Sequence, residues 1–169
     1  MTKNQEPRTK NQEPRTNDQE PMTKNQEPMT NNQLTSIIEF PVRFSEVDSM
    51  QIVWHGHYVK YMEEGREDFG RKFGINYMLI KANGYMAPVV KLTCDYKKTL
   101  SYDDQVIVET SFIDSDAAKI IYSFKIFRAS DKELIATGES VQVFLDMSRE
   151  LVLTVPSFFA EWKKKWGLR

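Results

Sequence analysis

The hydrophobic pattern of this chain changes period once, and that change limits what it can fold into. From His57 to Phe73, the residues Tyr58, Tyr61, Met62, Gly65, Phe69 and Phe73 recur at three- and four-residue spacing. They form one stripe along a helix of roughly 27 Å, long enough to cross a sheet. Glu63, Glu64, Glu67, Asp68, Arg71 and Lys72 lie largely off that stripe, and Gly74 stands where a helix commonly ends. Beyond Gly84 the period drops to two. Val106, Val108, Thr110 and Phe112 alternate with polar or smaller neighbours, and so do Ile120, Tyr122, Phe124 and Ile126. Extended runs over Met86–Lys97 and Leu134–Leu145 complete a set of four consecutive strands, which reads as an antiparallel meander. A further strand, Thr35–Phe44, precedes the helix, and a short helix opening at Pro156 closes the chain. One helix with a single apolar stripe and one sheet with an apolar face bury both by wrapping the sheet around the helix. The expected class is α+β.

The first 33 residues stand apart from this pattern. Residues 2–29 repeat every seven: TKNQEPR twice, then TNDQEPM, then TKNQEPM. No apolar a/d positions support a coiled coil, and a proline in each unit (Pro7, Pro14, Pro21, Pro28) blocks a helix. Balanced charge and almost no apolar surface predict a disordered tail over 1–33, with the folded domain at 34–169. Over the whole chain, 23 Lys and Arg face 24 Asp and Glu, which argues against nucleic-acid binding through bulk charge. The single cysteine, Cys94, excludes an internal disulfide and a multi-cysteine zinc site. No apolar run is long enough to span a bilayer and no signal-peptide pattern opens the chain, so a cytoplasmic protein is expected.

Chemistry concentrates in one irregular stretch, residues 46–58. It holds Asp48 and both histidines of the protein, His55 and His57, and it runs into the start of the main helix. Unpaired amides at a helix N-terminus, with the positive end of the dipole, stabilise a developing oxyanion. An aspartate beside them can attack a carbonyl or activate water for that attack. On spacing alone, a loop aspartate before a helix is more often a cap or turn former. Two histidines without further ligands fall short of a metal site.

The run Val42-Arg43-Phe44-Ser45-Glu46-Val47-Asp48, followed by Ile52-Val53-Trp54-His55 and Tyr58, resembles the signature of the 4-hydroxybenzoyl-CoA thioesterase family of hot-dog-fold enzymes. The likeness is closer to the acyl-CoA thioesterase branch associated with the bacterial Tol–Pal region. It covers nearly all of 37–153 and includes Glu63-x-x-Arg66, Ala87-Pro88-Val89-Val90 and Ser101-Tyr102-Asp103-Asp104. The resemblance implies a five- or six-stranded antiparallel sheet around the long helix, paired into a homodimer or a dimer of dimers. It implies Asp48 as catalytic nucleophile or general base, and His55 beside the thioester with its backbone N–H as oxyanion donor. It also implies acyl-CoA, or an acyl group on acyl carrier protein, as substrate, with no metal or other cofactor. Trp54 and Tyr58 are candidates to line the acyl site, and Lys91, Lys97, Lys98 and Arg128 to meet the coenzyme A phosphates. Glu63 with Arg66 reads as a structural ion pair, and Lys163–Lys165 as a solvated helix end suited to the dipole. The chain departs from the family at Gln51, commonly glycine, and at His57, often Asn or Ser. The Gln51 departure leaves a second reading open, a non-catalytic acyl-CoA or acyl-carrier-protein binding module with the same fold.

Overall fold

The computed structural model describes residues 33–169, and the heptapeptide repeat lies outside the described residues. The chain runs β1 (Thr35–Pro41), a 3-10 turn (Phe44–Glu46), α1 (His55–Phe73), α2 (Tyr77–Ala82) and β2 (Tyr85–Met86). It continues through β3 (Val89–Tyr96), β4 (Gln105–Ile113), β5 (Lys119–Arg128), β6 (Leu134–Val143), β7 (Leu145–Asp146) and α3 (Ser157–Lys165). Five strands form one antiparallel sheet in the order β1-β4-β5-β6-β3, and β2 pairs with β7 in a separate two-stranded ladder.

The period-3.6 stripe lies against this sheet as its spacing predicts. Tyr58, Tyr61, Met62, Gly65, Phe69 and Phe73 are all buried. Gly65 sets how closely α1 approaches. A Cβ there would overlap the Thr110 hydroxyl and come within 2.8 Å of the Val108 side chain, so only glycine lets the helix rest on β4. Past Phe73 the chain turns left-handed at Gly74 (φ 72°), whose amide returns to the Gly70 carbonyl. The Phe73 carbonyl finds its partners in α3 and its C-cap, where the indole N–H groups of Trp162 (2.8 Å) and Trp166 (3.1 Å) both donate to it. Trp162 also stacks on Phe159 and meets Phe112 edge-on, so the terminal helix plugs one end of the core.

Three expectations change on the sheet. The meander holds only for β4–β5–β6. Strand β3 crosses to the far edge and pairs with β6, not β4. Alternation marks a strand but does not choose its neighbour. The choice is made by residues 97–104, which fully bury Leu100 and send the amides of Lys97 (2.9 Å) and Lys98 (3.1 Å) to the Ile135 carbonyl. The long run from Met86 is also broken, because Pro88 has no N–H to continue a ladder; its carbonyl accepts from Val143 instead (3.3 Å). Lastly, Lys163 is not solvated. It is 5% exposed, with its ammonium 2.8 Å from both the Asp114 carboxylate and the Ser115 carbonyl. A single helix face must carry Phe159, Trp162 and Lys163 together, and the lysine stem reaches across apolar surface to its partner.

Candidate active site

The approach to α1 is a tightly knotted loop. Val47 and Val53 form an antiparallel bridge that closes a turn over 48–52. Within it, the Asp48 amide donates to the Ile52 carbonyl (2.9 Å), and the Gln51 amide donates to the Asp48 carbonyl (2.9 Å). The loop is tied outward as well: Val53 N–H donates to Leu100 O (2.8 Å) and Trp54 N–H to Glu46 O (2.9 Å). Glu46, which the sequence places in this stretch without a role of its own, is the brace. Its carboxylate is 9% exposed and accepts from the Arg43 amide (2.9 Å) and the Tyr61 hydroxyl (2.8 Å). Burial, together with that carboxylate, pushes the Tyr61 hydroxyl far above the usual tyrosine range, so it remains a donor. A Glu three residues after Arg43, in a chain segment that a 3-10 turn can close, was the only sequence signal for it.

Asp48 is half-buried at the head of this turn. One carboxylate oxygen accepts the Met50 amide (2.8 Å), and the other has no hydrogen-bond partner among the described residues. Asp48 is thus a turn former through one oxygen, and its other oxygen is left unpartnered among the described residues. Gln51 sits at φ 64°, the left-handed region that an L side chain enters only at a cost of about 1–2 kcal/mol. The family's glycine and this chain's glutamine meet at a position where backbone geometry favours glycine. Gln51→Gly is expected to raise stability by about 1 kcal/mol, net of the entropy glycine adds to the unfolded chain, and to lift Tm by several degrees. Thermal unfolding of the two proteins checks this, and an unchanged or lower Tm would refute it.

Trp54 occupies the N-cap of α1 and makes no side-chain cap bond. The His57 amide turns back to the Trp54 carbonyl (2.9 Å), while the amides of His55 and Gly56 donate to no acceptor among the described residues. Trp54 is 46% exposed, its ring 4.6 Å from that of His55 and 5.7 Å from that of His57. The indole lies directly over Gly56, where it fills the space of a Cβ. His55 is exposed beside it, and His57 is half-buried with Nδ1 unpartnered. Tyr58, at 3% exposure, is in the core; its hydroxyl accepts the Leu100 amide (3.3 Å). The structure thus gathers Trp54, His55 and Tyr58 on the first turn of α1, with Asp48 on the turn that precedes it.

Farther along α1, the helix packs chiefly on β1 and β4, Met62 reaches Gly138 of β6, and β3 stays largely exposed. A cavity of about 260 Å³ opens there, lined by Val59, Met62, Leu92, Phe124 and Ser140. Glu63 and Arg66, ion-paired as their spacing suggested, stand at this cavity. Of the four cations considered for phosphate contacts, Arg128 is already committed. It holds Asp131 (2.7 Å), Glu133 (2.9 Å) and the Thr99 carbonyl (2.9 Å), with Asp104 at 3.6 Å. Lys91 and Lys98 lie at 3.5 and 3.7 Å from Glu139 and Glu133, and Lys97 has no ion pair among the described residues. Among those residues, too, no helix is long and apolar enough to cross a membrane.

A five-stranded antiparallel sheet packed on one long helix is the hot-dog architecture. Residues 42–163 match the thioesterase-like superfamily, and the chain belongs to it. YneP of Bacillus subtilis, named as an acyl-CoA thioesterase, is 30% identical over 124 residues, covering 73% of this chain and 89% of YneP. The crystal structure of DHNA-CoA thioesterase from Staphylococcus aureus superposes with a TM-score of 0.70 at 27% identity, covering 79% of this chain and 89% of that one. The 4-hydroxybenzoyl-CoA thioesterase from Pseudomonas sp. strain CBS-3 shares the fold, with a TM-score of 0.66 at 20% identity over 76% of this chain and 98% of its own.

Proposed function

We propose that this protein hydrolyses acyl-CoA thioesters to the free acid and coenzyme A. The observation that carries the reading is the superfamily match over 42–163 together with Asp48 and the unsatisfied His55 and Gly56 amides on adjoining turns of the chain. In this reading the Asp48 carboxylate attacks the thioester carbonyl, or takes a proton from a water that does. The charge that develops on the carbonyl oxygen meets the two amides at the positive end of α1. The carbon–sulfur bond breaks, and the coenzyme A thiolate leaves and is protonated. If Asp48 is the nucleophile, water then opens the resulting mixed anhydride. Thioesters lack amide resonance, so a carboxylate and an oxyanion site suffice without a full triad. Trp54 covers the thioester, Tyr58 backs it from the core, and the cavity beside Val59 and Met62 takes the acyl group. The same chemistry serves an acyl group carried on acyl carrier protein.

The active unit in this reading is a homodimer. Strand β3 is eight residues long, lies at the sheet edge, and exposes Val89, Val90 and Leu92. An uncovered edge of that length and character is a template for another strand, and a second copy of β3 satisfies it. Incubating the protein with a panel of acyl-CoA esters and a thiol-trapping dye tests the activity. The expected result is stoichiometric thiol release with a preference for one acyl class. Ester binding without thiol release would support the non-catalytic binding module instead. Sedimentation velocity on the same sample is expected to give a multiple of the 19.8 kDa chain mass, and a monomer would refute the paired site.

A further inference from the structure

The first turn of α1 is built in an unusual way. A helix start is ordinarily closed by a side chain that accepts its free amides, a contact worth about 1 kcal/mol. Here Trp54 supplies no such acceptor and the first turn carries no acidic residue. The amides of His55 and Gly56 are consequently left without an acceptor among the described residues, and the end of the helix lacks the contact that would stop it fraying.

The missing restraint comes from the opposite side of the same peptide group. Tyr96, at the end of β3, donates its hydroxyl to the His55 carbonyl at 3.0 Å. That carbonyl and the Gly56 N–H belong to one planar trans unit and point in opposite directions. Holding the oxygen therefore also fixes the hydrogen, which points away from the Tyr96 hydroxyl. The clamp is itself well fixed. The Tyr96 ring meets Tyr58 edge-on at 5.2 Å, Tyr58 accepts the Leu100 amide, and the Leu100 carbonyl accepts from Val53 in the Asp48 loop. Strand, loop and helix start are thus joined around one tyrosine.

We infer that the Tyr96 hydroxyl is a positioning group for the oxyanion site, anchoring the His55 carbonyl so that the Gly56 amide meets the thioester oxygen. The inference rests on the hydrolytic reading above. Tyr96 touches no reacting atom and acts only through the backbone. Loss of solvent around its hydroxyl, with the Cys94 thiol nearby, pushes its pKa up to about 12, so at neutral pH it keeps the proton it donates to the His55 carbonyl.

Tyr96→Phe is the test, because it removes the hydroxyl and keeps the ring against Tyr58. Steady-state rates on the best ester are expected to show kcat reduced about tenfold with KM within twofold. That is less than the 10²–10³ lost when an oxyanion donor is deleted, since the amide is loosened and not removed. The Asp48→Asn,Tyr96→Phe double variant is expected to lose a similar further factor from whatever rate Asp48→Asn retains. A kcat within twofold of the wild type would overturn the role, as would a loss confined to KM, which would mark a ground-state contact. A wild-type protein that turns over no ester in the panel would remove the hydrolytic reading and this role together, whereas an active wild type with an unaffected Tyr96→Phe variant removes this role alone.

Discussion

Asp48→Asn is expected to reduce turnover by roughly a thousandfold while leaving the fold intact, because the substitution keeps the shape and one oxygen but deletes the negative charge. The bond from the Met50 amide needs only an oxygen, which the Asn side chain retains, so the turn over 48–52 persists. What disappears is the second, unpartnered oxygen as an anion. An amide neither attacks a thioester nor accepts a proton from water at useful rates. Thiol-release kinetics and a melting curve on the same preparation make the measurement. Wild-type turnover in Asp48→Asn would restrict Asp48 to its role in the turn, and a collapsed melting temperature would show that the charge itself holds the loop.

Trp162→Ala is expected to cost about 3–5 kcal/mol of unfolding free energy, the range for truncating a buried aromatic. The residue fills the space between Phe112 and Phe159 and satisfies the carbonyl that ends α1. Trp162→Phe should cost much less. The ring contacts largely remain, and Trp166 still donates to the Phe73 carbonyl at 3.1 Å. Urea denaturation of the three proteins reads both values. If Trp162→Ala lost less than about 1 kcal/mol, the terminal helix would be an appendage and not part of the core. In a domain whose whole stability is on the order of 5–15 kcal/mol, the expected loss is large enough to lower the yield of folded protein.

Much of the candidate site was readable because its parts are local in sequence. Asp48, Trp54, His55 and Tyr58 fall within eleven consecutive residues, and a loop feeding a helix start advertises both anionic and donor groups. Gln51 was marked as a departure, and its φ of 64° supplies the reason a glycine is favoured there. Glu46, Tyr96 and Arg128 were harder for the opposite reason. Glu46 acts through Tyr61, fifteen positions on, and Tyr96 through His55, forty-one positions back. Arg128 looked available for phosphate until Asp104, Asp131, Glu133 and the Thr99 carbonyl converged on it. Lys163 looked solvated because two more lysines follow it, yet only its own stem points across Phe159 to Asp114.

Periodicity by itself determined that one helix faces one sheet, because burying a 3.6-residue stripe and a two-residue alternation leaves a single economical arrangement. The local run from Asp48 to Tyr58 marked the candidate site, since free amides and a carboxylate need no distant partner to be recognised. Tertiary structure alone decided that β3 leaves its sequence neighbour to form the edge, that Met62 of α1 reaches Gly138 of β6, and that a tyrosine from β3 takes hold of the helix start. Strand order and long-range hydrogen bonds depend on which surfaces meet once the core closes, and no spacing within a segment records that.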